Sequence, residues 1–275
     1  MNSKTMRAIR AVARRVGRLS APALDVSEHQ EDISADPSPP KESILLNTMP
    51  KSGSIYIMRV VQRIVGLDFM YVGNGYNLID QIALQSVKKF VGGGYVAQNH
   101  LAPSVENLQI LEHHRLKMVL HVRDPRQALL SWVYHLDRIT ESNDASEFLL
   151  YFVPRTPPGY FALPLSQKID WQLENYLPDL IAWTKQWVEI ADQGTIPILI
   201  TDQKDLQSDE KAFFDSILAF YQYNLDYALP DVPKTDETHF RRADPREWLR
   251  TFTPEQAASA TSAIPDMLRT RFGWE

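Results

Sequence analysis

Apolar and polar positions change period repeatedly between residues 42 and 275, and each change marks an element. Ile44-Leu45-Leu46-Asn47-Thr48 is a short apolar run of strand type, and Ile57, Val60, Val61, Ile64 and Val65 then recur at helical spacing up to Leu67. Phe69-Met70-Tyr71-Val72 predicts a second strand, followed by a helix from about Leu78 to Phe90. Gly92-Gly93-Gly94 breaks the chain before an extended Tyr95-Val96-Ala97-Gln98. A helix over Ser104 to His114 leads to Lys117-Met118-Val119-Leu120-His121-Val122, the clearest buried strand in the sequence. Beyond it the pattern predicts a helix through Ala128, Leu129, Trp132 and Tyr134. One long helix follows, carrying Trp171, Leu173, Tyr176, Leu177, Leu180, Trp183 and Trp187, and then a strand at Ile198-Leu199-Ile200-Thr201-Asp202. Thr253-Pro254-Glu255-Gln256 opens a capped helix near the end. Strands separated by helix-length segments predict βαβ units, so the fold class is α/β, a single domain with a central, mainly parallel sheet flanked by helices. In such sheets ligands collect at the carboxyl ends of the strands.

The turn after the first strand, Pro50-Lys51-Ser52-Gly53-Ser54-Ile55-Tyr56, has the composition of an anion cradle. The first N–H groups of a helix lack intrahelical partners and the macrodipole is positive there, so a phosphate or sulfate finds donors and a favourable field together. Gly53 lets the backbone approach a ligand, Ser52 and Ser54 add hydroxyls, and Lys51 supplies a point charge. The turn is P-loop-like without being the triphosphatase loop GxxxxGK[ST], whose lysine follows its last glycine; here Lys51 precedes Gly53. Taken as ordinary structure, the stretch is a Lys/Ser-rich turn before a surface helix.

The second strand-turn-helix of this kind is Val122-Arg123-Asp124-Pro125-Arg126, with Ser131 eight positions after Arg123. An arginine fork pairs a phosphate bidentately, and a serine two turns into the helix can reach the same anion. The plain alternative is a helix started by Asp124-Pro125 with an ordinary salt bridge from Arg123 or Arg126.

PKSGSIY resembles the 5′-phosphosulfate loop, PKSGTTW, of the sulfotransferases. These enzymes move a sulfuryl group from PAPS (3′-phosphoadenosine 5′-phosphosulfate) to an acceptor and leave 3′,5′-ADP. Arg123 and Ser131 match the spacing of the family's 3′-phosphate segment. A third likeness runs from Phe240 to Thr253, where Arg241, Arg242, Trp248, Phe252 and Thr253 fit the family's RKGxxGxW…FT pattern, with Ala243 and Arg246 standing at the two glycines. The resemblance implies that PAPS is held by Lys51, Ser52, Gly53, Ser54, Ile55, Tyr56, Arg123, Ser131, Arg241 and Arg242, without a metal. It makes Tyr56 a candidate for stacking on adenine, with a half-buried packing role as the alternative. Thr201 stands where the family often has a tyrosine.

Sulfuryl transfer needs positioning, stabilisation of charge on the leaving oxygen, and a base. The resemblance gives Lys51 the second task. It gives the third to His100, because Asn99-His100-Leu101 resembles the family's KTHLP segment and imidazole suits proton abstraction near neutrality. Glu106 and Asp80 are carboxylate alternatives. His113-His114 is read as a solvated helix end, and His121 and His135 as satisfied or exposed. Phe148, Leu149, Tyr151, Phe152, Tyr160 and Phe161, set among prolines, form a lid-like stretch suited to an acceptor pocket. The acceptor is expected to present a hydroxyl or amine on a glycan or a lipid-like small molecule.

At 275 residues the chain suffices for such a domain with a sizeable core. A net charge of -5 argues against a nucleic-acid partner, and the lack of cysteine removes thiol nucleophiles and thiolate-held zinc. The organisation expected is residues 1–41 as a basic N-terminal helix plus flexible linker, and 42–275 as the sulfotransferase-like domain. In residues 4–19, Arg7, Arg10, Arg14, Arg15 and Arg18 decorate an apolar stripe. That segment suits an acidic partner or the fringe of the domain, a membrane surface, or an organellar transit peptide; a cytoplasmic, peripherally membrane-associated protein is the corresponding expectation. Two rivals remain open: a P-loop-type small-molecule kinase and a non-catalytic 3′-phosphonucleotide-binding module.

Overall fold

The computed structural model describes residues 41–74, 77–141, 156–232, 244 and 246–275. The chain divides into a unit Met1–Pro39 and a unit Pro40–Glu275, and every described residue lies in the second. Five strands form one parallel sheet: β1 (Ile44–Thr48), β2 (Asp68–Met70), β3 (Tyr95–Asn99), β4 (Met118–Val122) and β5 (Ile198–Asp202). Their order is β2-β3-β1-β4-β5. The chain fills one side of β1 and then crosses to the other, so the place where strand order reverses lies at the carboxyl ends of β3, β1 and β4, where open α/β sheets take ligands.

Both faces of the sheet are covered, which is why β1 and β4 are apolar almost throughout rather than alternating. Leu45, Met118, Leu120 and Val122 pack into one core with Trp183 and Trp187, while Ile44, Leu46 and Val119 pack into the other with Ile57, Val61 and Phe214. The second core is closed by α1 (Ser54–Val65), whose buried face is Ile57, Met58, Val60, Val61 and Val65. Next in chain order come α2 (Leu84–Val91), α3 (Val105–His113), α4 (Pro125–Glu141), α5 (Leu165–Asn175) and α6 (Leu177–Gln193). Then follow α7 (Gln203–Ser208), α8 (Glu210–Phe220), α9 (Glu247–Thr251), α10 (Pro254–Ala263) and α11 (Asp266–Phe272). The capped start read at Thr253 is a complete capping box with Gln256.

Two helices differ from expectation. The segment from Leu78 to Phe90 is helical only from Leu84, after a 3-10 turn at Asn77–Ile79. Long-range bonds take its first half: Asp80 bridges Leu101, Ile82 bridges Gly73, and the Asn107 side chain accepts from the Ile82 N–H at 2.8 Å. The single long helix is two, broken at Tyr176. Pro178 has no N–H to continue the ladder and instead occupies the first turn of α6. Among the described residues no helix is long and apolar enough to cross a membrane.

Candidate active site

The loop after β1 is tight. Lys51 has φ 66°, Gly53 has φ 88° and precedes the first residue of α1, and Ser52 closes the turn by donating from Oγ to the Met49 carbonyl at 2.7 Å. Ser52 is fully buried, so its hydroxyl serves the turn's shape. A Cβ on Gly53 would stand 3.2 Å from Oε1 of Gln203, the first residue of α7. The left-handed backbone favours glycine here, and any side chain would also crowd the end of the Gln203 side chain. Ser54 is buried and Ile55 leans on the second core.

Arg123, just past β4, donates from Nη1 to the Lys51 carbonyl at 2.7 Å. The two predicted anion loops are thereby in direct contact, with one guanidinium spanning them. Ser131 is buried on α4, the helix that Arg123 leads into. Arg126 has the structural role weighed for it. It is 1% exposed, forks onto Asp124 at 2.8 and 2.9 Å, donates to Thr261 Oγ1 at 2.9 Å and to the Glu275 carbonyl at 3.1 Å, and lies 4.1 Å over the Trp248 ring. Trp248, the tryptophan of the third motif, thus docks on the start of α4, and its backbone N–H donates to Gln127 Oε1 at 3.3 Å. Arg241 and Arg242 lie outside the described residues, as do Phe148, Leu149, Tyr151 and Phe152.

On the other side of β1, His100 follows β3. Its Nδ1 lies 2.5 Å from the Thr48 carbonyl. A carbonyl only accepts, so Nδ1 carries the proton and the lone pair sits on Nε2, the tautomer a base requires. Desolvation lowers the imidazole from its ordinary 6.5 to about 4, the bond to Thr48 opposes this, and the nearby Lys51 ammonium adds to the lowering. The near-neutral value expected of a base is absent; the ring is neutral, and less basic than a free imidazole. Its segment is held on both sides. The Leu101 N–H donates to Asn47 Oδ1 at 2.8 Å, and the Leu101 carbonyl receives the indole N–H of Trp183 at 2.7 Å and of Trp187 at 2.9 Å. Of the alternative carboxylates, Asp80 is buried against Gly73 and accepts from Asn99 Nδ2 at 2.7 Å, while Glu106 is exposed in the first turn of α3.

Tyr56 is half-buried, donating its hydroxyl to Glu210 and meeting Phe214 edge-on at 6.5 Å. Burial and the Glu210 carboxylate raise its pKa, so it stays protonated. These contacts are those of the packing role. Tyr160 is 1% exposed and held by Gln172 at 3.0 Å, which makes it core rather than lid. His113 and His114 sit edge-to-face at the end of α3. Among the described residues, no three His, Asp or Glu side chains converge as a metal site.

Sequence reading undervalued His121, Thr201 and Gln203. His121 on β4 is 1% exposed, with Nδ1 2.9 Å from Thr201 Oγ1 and Nε2 3.1 Å from the Ser52 carbonyl and 3.3 Å from Gln203 Oε1. The usable signal was that position 121 is a polar residue in an otherwise apolar strand, two places before Arg123.

No protein-family model matches this chain, and no curated protein matches it. Among solved structures, it is similar to the crystal structure of mouse sulfotransferase SULT7A1 complexed with PAP, with a TM-score of 0.58 and 13% identity over 85% of this chain and 87% of that one. A sulfotransferase from Alicyclobacillus acidocaldarius is also similar, with a TM-score of 0.47 and 13% identity over 82% of this chain and 96% of that one. The mouse comparison shows that the two chains share a fold.

Proposed function

We propose that this chain is a sulfotransferase that transfers the sulfuryl group of PAPS to a hydroxyl or amine of an acceptor. The observation that carries the proposal is the 2.7 Å bond from Arg123 to the Lys51 carbonyl, because it brings a 5′-phosphosulfate loop and a 3′-phosphate loop within reach of one nucleotide. The donor set fits such a ligand: a helix N-terminus opened by Gly53, the Lys51 ammonium, and the Arg123 guanidinium. The shared fold with a sulfotransferase complexed with PAP supports the same reading.

When bound, PAPS supplies an activated sulfuryl group and a phosphate leaving group. The chain's own residues do the rest. Lys51 stabilises negative charge on the leaving oxygen, and the N–H groups at the start of α1 orient the 5′ end. Arg123 and Ser131 hold the 3′ phosphate. His100, fixed by Thr48 with its lone pair on Nε2, takes the proton of the acceptor. An anion beside Lys51 offsets that ammonium's share of the lowering at His100, which is smaller than the share from desolvation. The test is transfer of labelled sulfate from PAPS to pools of glycans, phenols and sterols. The proposal predicts a labelled product that disappears in His100→Ala. Phosphoryl transfer from ATP with Mg²⁺, or nucleotide binding without turnover on any pool, would overturn it in favour of a kinase or a binding module.

A further inference from the structure

His121 on β4 and Arg123 just past its end reach consecutive carbonyls of the loop after β1. Two positions apart, they meet the Ser52 and Lys51 carbonyls at 3.1 and 2.7 Å. Arg123 was legible as a ligand for an anion; the function given above has no use for His121. Because the Ser52 carbonyl can only accept, His121 carries its proton on Nε2, and Nδ1 accepts from the Thr201 hydroxyl. Gln203 Oε1 takes a share of the same Nε2 proton and packs against Gly53. Phe213 closes the edge of the ring at 5.5 Å. There is no cis peptide bond in the described chain, and in a trans peptide the carbonyl and the following N–H point in opposite directions. Holding the Ser52 carbonyl on β4 therefore turns the Gly53 N–H away from it.

We propose that His121 is a positioning residue for the phosphosulfate cradle: as the Nε2–H tautomer, with Nδ1 turned to the Thr201 hydroxyl, it holds the Ser52 carbonyl and so aims the Gly53 N–H at the 5′ end of the nucleotide. This rests on the sulfotransferase reading and assigns to that site a residue outside its ligands. The neutral ring suits the task, since a protonated Nδ1 would place a second cation beside Arg123. Desolvation lowers its pKa from 6.5 to about 4, with bonds to Gln203 and Ser52 opposing this and Arg123 adding to it. Met118, Leu120 and Val122 on the other face of β4 carry no charge that could compensate.

The experiment compares binding of 3′,5′-ADP, which fills both ends, with adenosine 3′-phosphate, which leaves the cradle unused. For His121→Met, 3′,5′-ADP should weaken about tenfold, the worth of one well-placed hydrogen bond, while adenosine 3′-phosphate changes by less than about twofold. His121→Gln, whose Nε2 can donate from nearly the same place, should restore 3′,5′-ADP to within about threefold of wild type. Equal losses for both nucleotides, or none, would overturn the proposal while leaving the sulfotransferase reading intact. Failure of the wild-type protein to bind 3′,5′-ADP would overturn both. If His121→Met does not fold, nitrogen-15 spectra of the wild-type protein decide: an Nε2–H tautomer at pH 7 supports the role, and an Nδ1–H tautomer or an imidazolium refutes it.

Discussion

Replacing Arg126 with methionine should destabilise the fold by about 3.5–5 kcal/mol. The side chain is 1% exposed, and its partner Asp124 has only 18% of its side chain in contact with solvent. Removing one member of a buried ion pair leaves the other charge uncompensated, which costs ~3–5 kcal/mol when burial is complete. Asp124 can recover some hydration, and it still caps α4 by accepting from the residue 126 N–H at 2.9 Å, so the lower end applies. The guanidinium 4.1 Å over Trp248 adds back ~0.5–2 kcal/mol. Arg126→Lys keeps the charge but not the planar fork that reaches Asp124, Thr261 and Glu275 together, and should lose about 2 kcal/mol. Urea unfolding monitored by far-UV circular dichroism measures both. A double-mutant cycle with Asp124→Asn, which keeps the cap, should return a coupling of about 1.5–3 kcal/mol. If Arg126→Met lies within about 1 kcal/mol of wild type, the knot between α4 and the C-terminal helices is not what secures that side of the site.

The histidines make the fold acid-sensitive. His100 and His121 both fall from 6.5 to about 4 on folding, so between those values the unfolded chain binds more protons. Their contribution is complete above pH 6.5 and is lost as pH falls towards 4, with His121 accounting for about 3 kcal/mol at 1.36 kcal/mol per tenfold change in protonation. Asp202, raised from 3.8 to about 6 chiefly by burial, acts in the opposite direction over part of that window. The comparison that isolates the effect is wild type against His121→Gln by urea unfolding from pH 7 to 4; equal pH slopes would refute it. Lys51→Ala should remove most turnover and keep 3′,5′-ADP affinity within about threefold, and unchanged turnover in labelled-sulfate assays would take Lys51 out of the mechanism. Gly53→Ala forces a left-handed alanine against Gln203 and should cost about 1–2 kcal/mol. Gln203→Ala in the same chain should return only the steric part, and a thermal melt in which Gly53→Ala matches wild type would contradict the loop geometry.

What was legible in the sequence was whatever depends on neighbours along the chain. The strand at β4 is an apolar run interrupted only by His121, α10 announces its cap at Thr253, and the turns at Gly53 and Asp124 carry the residues that start helices. The parts that were not legible depend on residues far away in sequence. Asn107 captures the Ile82 N–H and Leu101 pairs with Asp80, which holds residues 80–83 out of a helix whose spacing they share. The break at Tyr176 did have a local signal in Pro178, masked by an apolar stripe that both helices continue. At the site, the contact of Arg123 with Lys51 follows from β1 and β4 being adjacent, which strand order alone decides. His121 was readable as a satisfied histidine, but its partners Ser52 and Thr201 come from two other segments.

The most direct test of a single nucleotide spanning both loops is calorimetric titration with 3′,5′-ADP and 5′-AMP, on wild type and on Arg123→Ala. Two phosphate sites predict that wild type binds 3′,5′-ADP at least about tenfold more tightly than 5′-AMP and that Arg123→Ala erases most of the difference. Equal affinities in the wild-type protein would contradict it.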